Sequence, residues 1–175
     1  MGVQFPPRQP YLNSVNNLMS DIIHWTYLPL AKPSNLNNDQ ILSALRLAAN
    51  EWNFCMKGLA EFKEGSGELQ IRISFDNKIN KKTHPKRIGE CRTYSNPRRW
   101  EISFDSREKW HTGGWRKLFG IGYDLQSCAL HEFGHVLTLP HSTNVDFIMY
   151  SDYNDKKKLN SGEIKFYRDF FINNA

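Results

Sequence analysis

The sequence predicts an α+β fold, because stretches with the period of a β-strand and stretches with the period of an α-helix both occur along it. Residues 69–75 alternate apolar and polar side chains, as in a half-buried strand. Residues 39–55 repeat apolar side chains at helical spacing. A chain of 175 residues with 39% hydrophobic content can bury one sizeable core. We therefore expect one domain over residues 21–175, preceded by an irregular, Pro- and Asn-containing arm over residues 1–20.

The remaining elements follow from local composition. Asn37 or Asn38 can cap the long helix, and Asp124 can cap a second helix. Asn160 and Glu163 have the spacing of a capping box that opens a final helix. Runs rich in β-branched and aromatic residues, or with alternating polarity, predict strands. These strands are expected at 22–28, 59–62, 69–75, 89–94 and 100–104.

Charge and composition exclude several classes of function. The net charge is +5, and Lys and Arg cluster between residues 78 and 99, which favours acidic partners. No nucleic-acid reading motif accompanies the cluster, so we expect no nucleic-acid partner. No apolar run reaches the length of a membrane span, and the first residues lack the pattern of a secretory signal. We expect a monomer with no membrane partner, and the localisation stays unknown.

The run from His131 to His141 carries the most specific chemical pattern. His131 and His135 are four residues apart and share one face of a helix, so both imidazoles can bind one zinc ion. His141 lies six residues further on, and Pro140 disfavours continuation of the helix. The chain can therefore turn and bring His141 back as a third ligand. Three protein ligands leave a fourth zinc position for water, as in catalytic sites.

Glu132 follows the first histidine, where a carboxylate can reach a zinc-bound water. This arrangement predicts a zinc metalloendopeptidase that hydrolyses peptide bonds, with one catalytic Zn²⁺ and Glu132 as general base. The expected partner is a protein or peptide substrate.

The run resembles the HExxHxxGxxH motif of the metzincin metalloproteases. Residues 148–150, Ile-Met-Tyr, resemble the Met-turn of that clan in its matrixin form, and His141-Ser142 is similar to the pair that ends the matrixin motif. Residues 68–75 resemble a matrixin strand, Ala-Asp-Ile-x-Ile-x-Phe. The resemblance covers about residues 22–172.

The resemblance implies a metzincin-like fold: a twisted mixed β-sheet with a long helix and an active-site helix, then a small C-terminal subdomain ending in a helix. The upper part would span about residues 21–141 and the lower part about residues 142–175. Met149 would form a floor under the zinc without binding it. The segment from Tyr150 to Tyr153 would bind the substrate side chain after the scissile bond. Extracellular localisation follows by family analogy only if a leader is missing from this sequence.

Residues 104–110 resemble the Phe-Asp-x-x-Glu-x-Trp segment of matrixins, whose Asp and Glu help to bind a structural calcium ion. Asp105 and Glu108 match those positions, so Ca²⁺ is a possible second cofactor, and a solvated or helix-capping pair is the alternative. The second, structural zinc of matrixins is expected to be absent. Arg92 and Ser103 stand where two of its histidines would be, and the preceding loop is short and basic.

Thr138 stands where the family motif has glycine, which takes positive φ without penalty. Either the turn is reshaped here or Thr138 carries strain. The departure keeps open an alternative function, a catalytically inactive zinc-binding module, whereas the intact Glu132 favours an enzyme. A metzincin of another subfamily is a second alternative, and the Met-Tyr and His-Ser pairs favour a matrixin.

Overall fold

The computed structural model describes residues 21–79, 81, 87–95, 98–113 and 122–174. The predicted arm over residues 1–20 and most of the predicted loop before the second helix lie outside these ranges. The proposed division of the chain near residue 141 stays a prediction.

A five-stranded mixed sheet forms the centre of the molecule, in the order β2-β1-β3-β5-β4. The β2–β1, β1–β3 and β3–β5 pairings are parallel, whereas β4 runs antiparallel to β5 and forms one edge. The mixed sheet confirms the expected architecture. The strands are β1 (Asp21–Leu28), β2 (Ala60–Glu64), β3 (Leu69–Asp76), β4 (Gly89–Ser95) and β5 (Arg98–Asp105).

Helix α1 (Asn38–Cys55) begins and ends where the sequence predicts. The Asn37 side chain accepts a hydrogen bond from the Gln40 N–H, and the Gln40 side chain accepts one from the Asn37 N–H, which completes a capping box. The apolar stripe of the helix is buried, and Trp52 lies at its inner end.

Two further helices complete the described fold. A two-residue pairing of β6 (Trp110–His111) with β7 (Tyr123–Asp124) leads into α2 (Leu125–Val136). The Asp124 carboxylate accepts from the Ser127 N–H at 3.1 Å, which confirms the predicted N-cap. The final helix, α3 (Ser161–Asn174), begins with the predicted box, in which Asn160 and Glu163 exchange two hydrogen bonds of 2.9 Å.

The core joins α2 to both α1 and the sheet. Phe133 on α2 packs edge-on against Phe62 of β2 and Trp25 of β1, with ring centroids 4.8 and 6.4 Å apart. The Trp52 indole N–H donates to the carbonyl of Leu130 at 2.7 Å. These contacts fix the position of α2 against the sheet and α1. Among the described residues, no helix has both the length and the apolar character needed to cross a membrane.

Candidate metal centre

The three histidines of the motif converge, as their spacing predicts. His131 and His135 project from the same face of α2, and His141 returns after the helix has ended. The His141 Nε2 lies 3.2 Å from the Nε2 of each other histidine. One ligating nitrogen from each ring can be chosen so that all three lie within 4.8 Å of one another.

Backbone carbonyls fix the orientation of two of the rings. The Nδ1 of His131 lies 2.8 Å from the Ile148 carbonyl, and the Nδ1 of His135 lies 2.9 Å from the Leu139 carbonyl. Because a carbonyl only accepts, Nδ1 carries the proton in both rings and Nε2 presents a lone pair. Metal-binding histidines commonly have this second contact, which orients the ring.

The geometry fits a zinc ion. Zn–N bonds of 2.0–2.1 Å in a tetrahedral site place two ligand nitrogens about 3.3 Å apart. The 3.2 Å contacts of His141 match that separation. Burial, with the neighbouring His135 and His141, lowers the pKa of His131 to about 3. The pKa values of His135 and His141 are also lowered, mainly by burial, so the rings are neutral, which is the form that binds metal.

The turn after α2 keeps the glycine-type geometry although its central residue is Thr138. The Thr138 N–H donates to the His135 carbonyl at 2.9 Å, and the Leu139 N–H donates to the Gly134 carbonyl at 3.1 Å. These two bonds define a Schellman ending, in which the residue at the Thr138 position is left-handed. The φ of Thr138 is 63°, so the turn is not reshaped and the threonine carries the strain.

Glu132 is buried beside the histidines, at 6% exposure. Its Oε2 has no hydrogen-bond partner among the described residues. Burial raises the pKa of Glu132 to about 8, Glu90 adds to the rise, and Arg87 opposes it. A dication held by the histidines would favour the carboxylate and lower this pKa. Glu132 Oε2 is therefore a buried acceptor with no partner among the described residues.

Gly89, the first residue of β4, gives the Glu132 carboxylate its space. A Cβ on Gly89 would lie 2.8 Å from Glu132 Oε1 and 3.4 Å from a ring carbon of Phe104. The sheet edge and the carboxylate of α2 are thus packed directly against each other. The sequence predicted a strand here but not this contact.

Met149 is completely buried against α2, and its role as the floor of the site stays a prediction. A Cβ on Gly134 would collide with the Met149 Sδ and would lie 3.0 Å from the Trp52 ring. Gly134 stands between the two histidines of the helix because no larger residue fits over the methionine. The Ser142 N–H donates to the Met149 carbonyl at 2.7 Å, which joins the end of the motif to this turn.

Glu163 supports the centre from α3, in a role that the sequence did not reveal. One of its carboxylate oxygens accepts from the N–H of Ile148, the residue whose carbonyl holds His131. The other oxygen belongs to the capping box with Asn160. The box spacing was visible in the sequence, but the contact with a loop 15 residues away was not.

The two tyrosines predicted to bind substrate have different surroundings. Tyr150 is partly buried, and its backbone N–H donates to the Phe147 carbonyl at 3.1 Å. The Tyr153 hydroxyl accepts from the Asp124 N–H at 2.9 Å, and its ring packs edge-on against Tyr123. The Tyr153 hydroxyl is therefore engaged at the start of α2. Substrate binding by this segment stays a prediction.

Asp105 and Glu108 lie at the end of β5 and just beyond it. Both contact basic side chains, including Lys81, which reaches both carboxylates. The calcium prediction for this pair gains no support from these contacts. In the part of the chain that the structure describes, the histidine triad is the one cluster of potential metal ligands.

Comparison with known proteins identifies the family. A sequence model of the matrixin family matches residues 19–169. Human matrix metalloproteinase-20 is 28% identical over 127 residues, which is 70% of this chain and 25% of that protein. Human matrix metalloproteinase-19 is 29% identical over 148 residues, 81% of this chain and 28% of that protein. Matrilysin from Felis catus is 35% identical over 69 residues, 37% of this chain and 24% of that protein.

This chain therefore spans about a quarter of the length of the relatives it matches. The family match covers every element of the described fold apart from the last five residues of α3, and it includes the three histidines and Glu132. The chain belongs to the matrixin family and carries a metalloprotease-like domain.

Proposed function

We propose that this chain is a zinc-dependent endopeptidase. The observation that carries the proposal is the convergence of three imidazoles beside a buried carboxylate with one unpaired oxygen. His131, His135 and His141 would hold the ion, which leaves a fourth position open. When bound there, zinc supplies Lewis acidity that polarises a peptide carbonyl and makes water a better nucleophile near neutral pH.

Glu132 supplies the proton chemistry. Its free Oε2 takes a proton from the attacking water and later delivers it to the leaving amine. Gly89 leaves room for the carboxylate, and the packing of α2 fixes the helix that carries it. Burial keeps other water away from the carboxylate.

The exposed edge of β4 supports an extended peptide as substrate. An edge strand offers unpaired N–H and C=O groups to which another strand can add. This edge lies against the active-site helix at Gly89, so a peptide bound along it would pass the histidines. The segment from Tyr150 to Tyr153 would contact the side chain that follows the scissile bond. We expect the active species to be a monomer.

The proposal is tested with Glu132→Gln on the zinc-loaded protein. Zinc content should stay at one ion per chain, because the ligands are unchanged. Cleavage of a denatured protein mixture should fall by about 10²–10⁴-fold, the usual contribution of a general base. Glu61→Gln, which changes an exposed carboxylate on β2, is the matched control and should cleave like wild type. Activity of Glu132→Gln within a few fold of wild type would exclude Glu132 as general base.

The strained Thr138 supports one alternative, a zinc-binding module without catalysis. Thr138 lies between His135 and His141 in the sequence, so relaxation of its strain would move the third ligand, His141. Wild-type protein that binds one zinc ion but cleaves no peptide library would favour the module over the peptidase. Two tightly held zinc ions would contradict the expected absence of a structural zinc.

A further inference from the structure

The end of β5 holds a buried carboxylate whose two oxygens are fully used. The side chain of Asp105 has 0% exposure. Its Oδ1 accepts from the backbone N–H of Arg107 at 2.9 Å and from the Arg107 Nε at 2.8 Å. Its Oδ2 accepts from the Arg107 Nη2 at 2.7 Å and lies 3.1 Å from the Lys81 Nζ. One guanidinium and one ammonium thus surround a single carboxylate.

Lys81 also joins this carboxylate to a second one. Its Nζ contacts Glu108 Oε1 as well as Asp105 Oδ2, so the ammonium lies between the two acidic side chains. Lys81 comes from the loop after β3, 24 residues before Asp105 in the sequence. The side chain of Lys81 is only 30% exposed, which strengthens the attraction relative to a pair on an open surface.

The backbone oxygens around the pair also have protein donors. The Trp110 indole N–H donates to the Asp105 carbonyl at 2.8 Å, and Arg107 Nη2 donates to the Ile79 carbonyl at 3.1 Å. The Ser106 N–H donates to the Asp76 carbonyl at 3.0 Å. A calcium ion needs six to eight oxygen ligands. It would have to displace two cations and break several of these bonds.

We propose that Lys81 and Arg107 take the place of the structural calcium ion that the matrixin resemblance implies at Asp105 and Glu108. The residues present do not fit the ion, because its charge is already supplied from within the chain. The ammonium of Lys81 bridges the two carboxylates, and the guanidinium of Arg107 forks onto the buried one. The fold is therefore stable without calcium, independently of whether the chain is a peptidase.

Calcium titration of the intact zinc-loaded protein is the direct test. The protein is freed of calcium and kept in constant excess zinc, and its melting temperature is followed as calcium is raised to millimolar concentration. We expect no saturable change. A ligand that binds only the folded state raises the melting temperature with concentration. A saturable rise would therefore overturn the proposal.

Lys81→Met tests the other half of the proposal, with Lys78→Met as the matched control. Lys78 is an exposed lysine three residues earlier in the same loop. Lys81→Met should lower the melting temperature by about 3–6 °C, because it leaves Glu108 without its cation and Asp105 with only one. Lys78→Met should change it by less than about 1 °C. Equal melting temperatures for the two variants would show that the ammonium does not support the fold.

Discussion

At the scale of single residues, Thr138 shows how a motif can keep its geometry after losing its usual residue. The Schellman bonds hold the backbone at φ 63°, and the carbonyl of the next residue, Leu139, orients His135. Both constraints need the left-handed turn. The fold therefore accepts a β-branched side chain in a conformation that disfavours it.

We predict that Thr138→Gly stabilises the protein. Relief of the left-handed strain is worth about 1–2 kcal/mol, and the added freedom of glycine in the unfolded chain costs about 0.5–1 kcal/mol. The melting temperature should rise by about 2 °C. Thr143→Gly is the control, because Thr143 is exposed and its φ is not positive, and it should be destabilised. A fall of similar size in both variants would show that Thr138 carries no strain.

The contact between Gly89 and Glu132 gives a prediction about activity. A Cβ at position 89 would push the carboxylate aside, and the far end of a glutamate moves at little cost to stability. Gly89→Ala should keep its zinc content and nearly its melting temperature, while kcat falls by about tenfold or more. Thr93→Ala, at an exposed position on the same face of β4, shortens a side chain and should leave kcat close to wild type. Unchanged kcat in Gly89→Ala would mean that the carboxylate position does not depend on this glycine.

At the scale of elements, the strongest local signals predicted the best boundaries. Helix α1 was predicted correctly because its capping residues and apolar period both lie in contiguous sequence. The strand after it was placed one to two residues early, at 59–62, because a five-residue strand with two buried positions carries little period. Strand β5 begins at Arg98, two residues before its predicted start at Trp100, because its pairing with β4 already begins at Arg98.

The candidate site also contains residues that the local sequence predicts and contacts that it does not. The convergence of the three histidines was predictable because a fixed spacing on one helix and the turn after it brings them together. The roles of Glu132 and Met149 stay predictions. The supporting contacts join distant parts of the chain. Gly89 lies 43 residues before Glu132, and Lys81 lies 24 residues before Asp105. No local period encodes such contacts, because they depend on how β4 and a loop are placed by the whole sheet.

Helix α3 supports the candidate metal centre although it carries none of the three histidines. Its contribution can be measured as a change in stability and in zinc affinity. Glu163→Ala removes the acceptor of the Ile148 N–H and one half of the capping box. We expect a loss of about 1–2 kcal/mol in stability and weaker zinc binding, because the Ile148 carbonyl then holds His131 less firmly. Asp169→Ala, which removes an exposed carboxylate from the same helix, should affect neither quantity. Equal zinc affinity in both variants would show that α3 does not support metal binding.

At the scale of the whole molecule, the metal should couple the sheet to the C-terminal part. The three ligands come from α2 and from the segment after it, and their rings depend on carbonyls of Leu139 and Ile148. A metal that binds only this folded arrangement adds its binding free energy to the stability.

Removal of zinc by a chelator should therefore lower the melting temperature by several degrees, and added zinc should restore it. His141→Ala should be less sensitive to the chelator, because two ligands bind the ion more weakly than three. Calcium should not replace zinc in restoring the wild-type protein, since imidazole nitrogen is a poor ligand for it. A melting temperature that does not change when the chelator is added would contradict metal binding at the triad.

The late position of Glu163 in the sequence affects when the candidate metal centre can form during synthesis. All five strands of the sheet and α1 leave the ribosome before residue 106, so the scaffold can begin to form early. The ring of His131 is held through Ile148, and Ile148 is held by a carboxylate made 15 residues later. During synthesis, the growing chain would therefore contain a sheet and a helix with an unfinished centre. We expect the proposed peptide-cleaving activity to appear only after α3 has left the ribosome and the Glu163 carboxylate can reach Ile148.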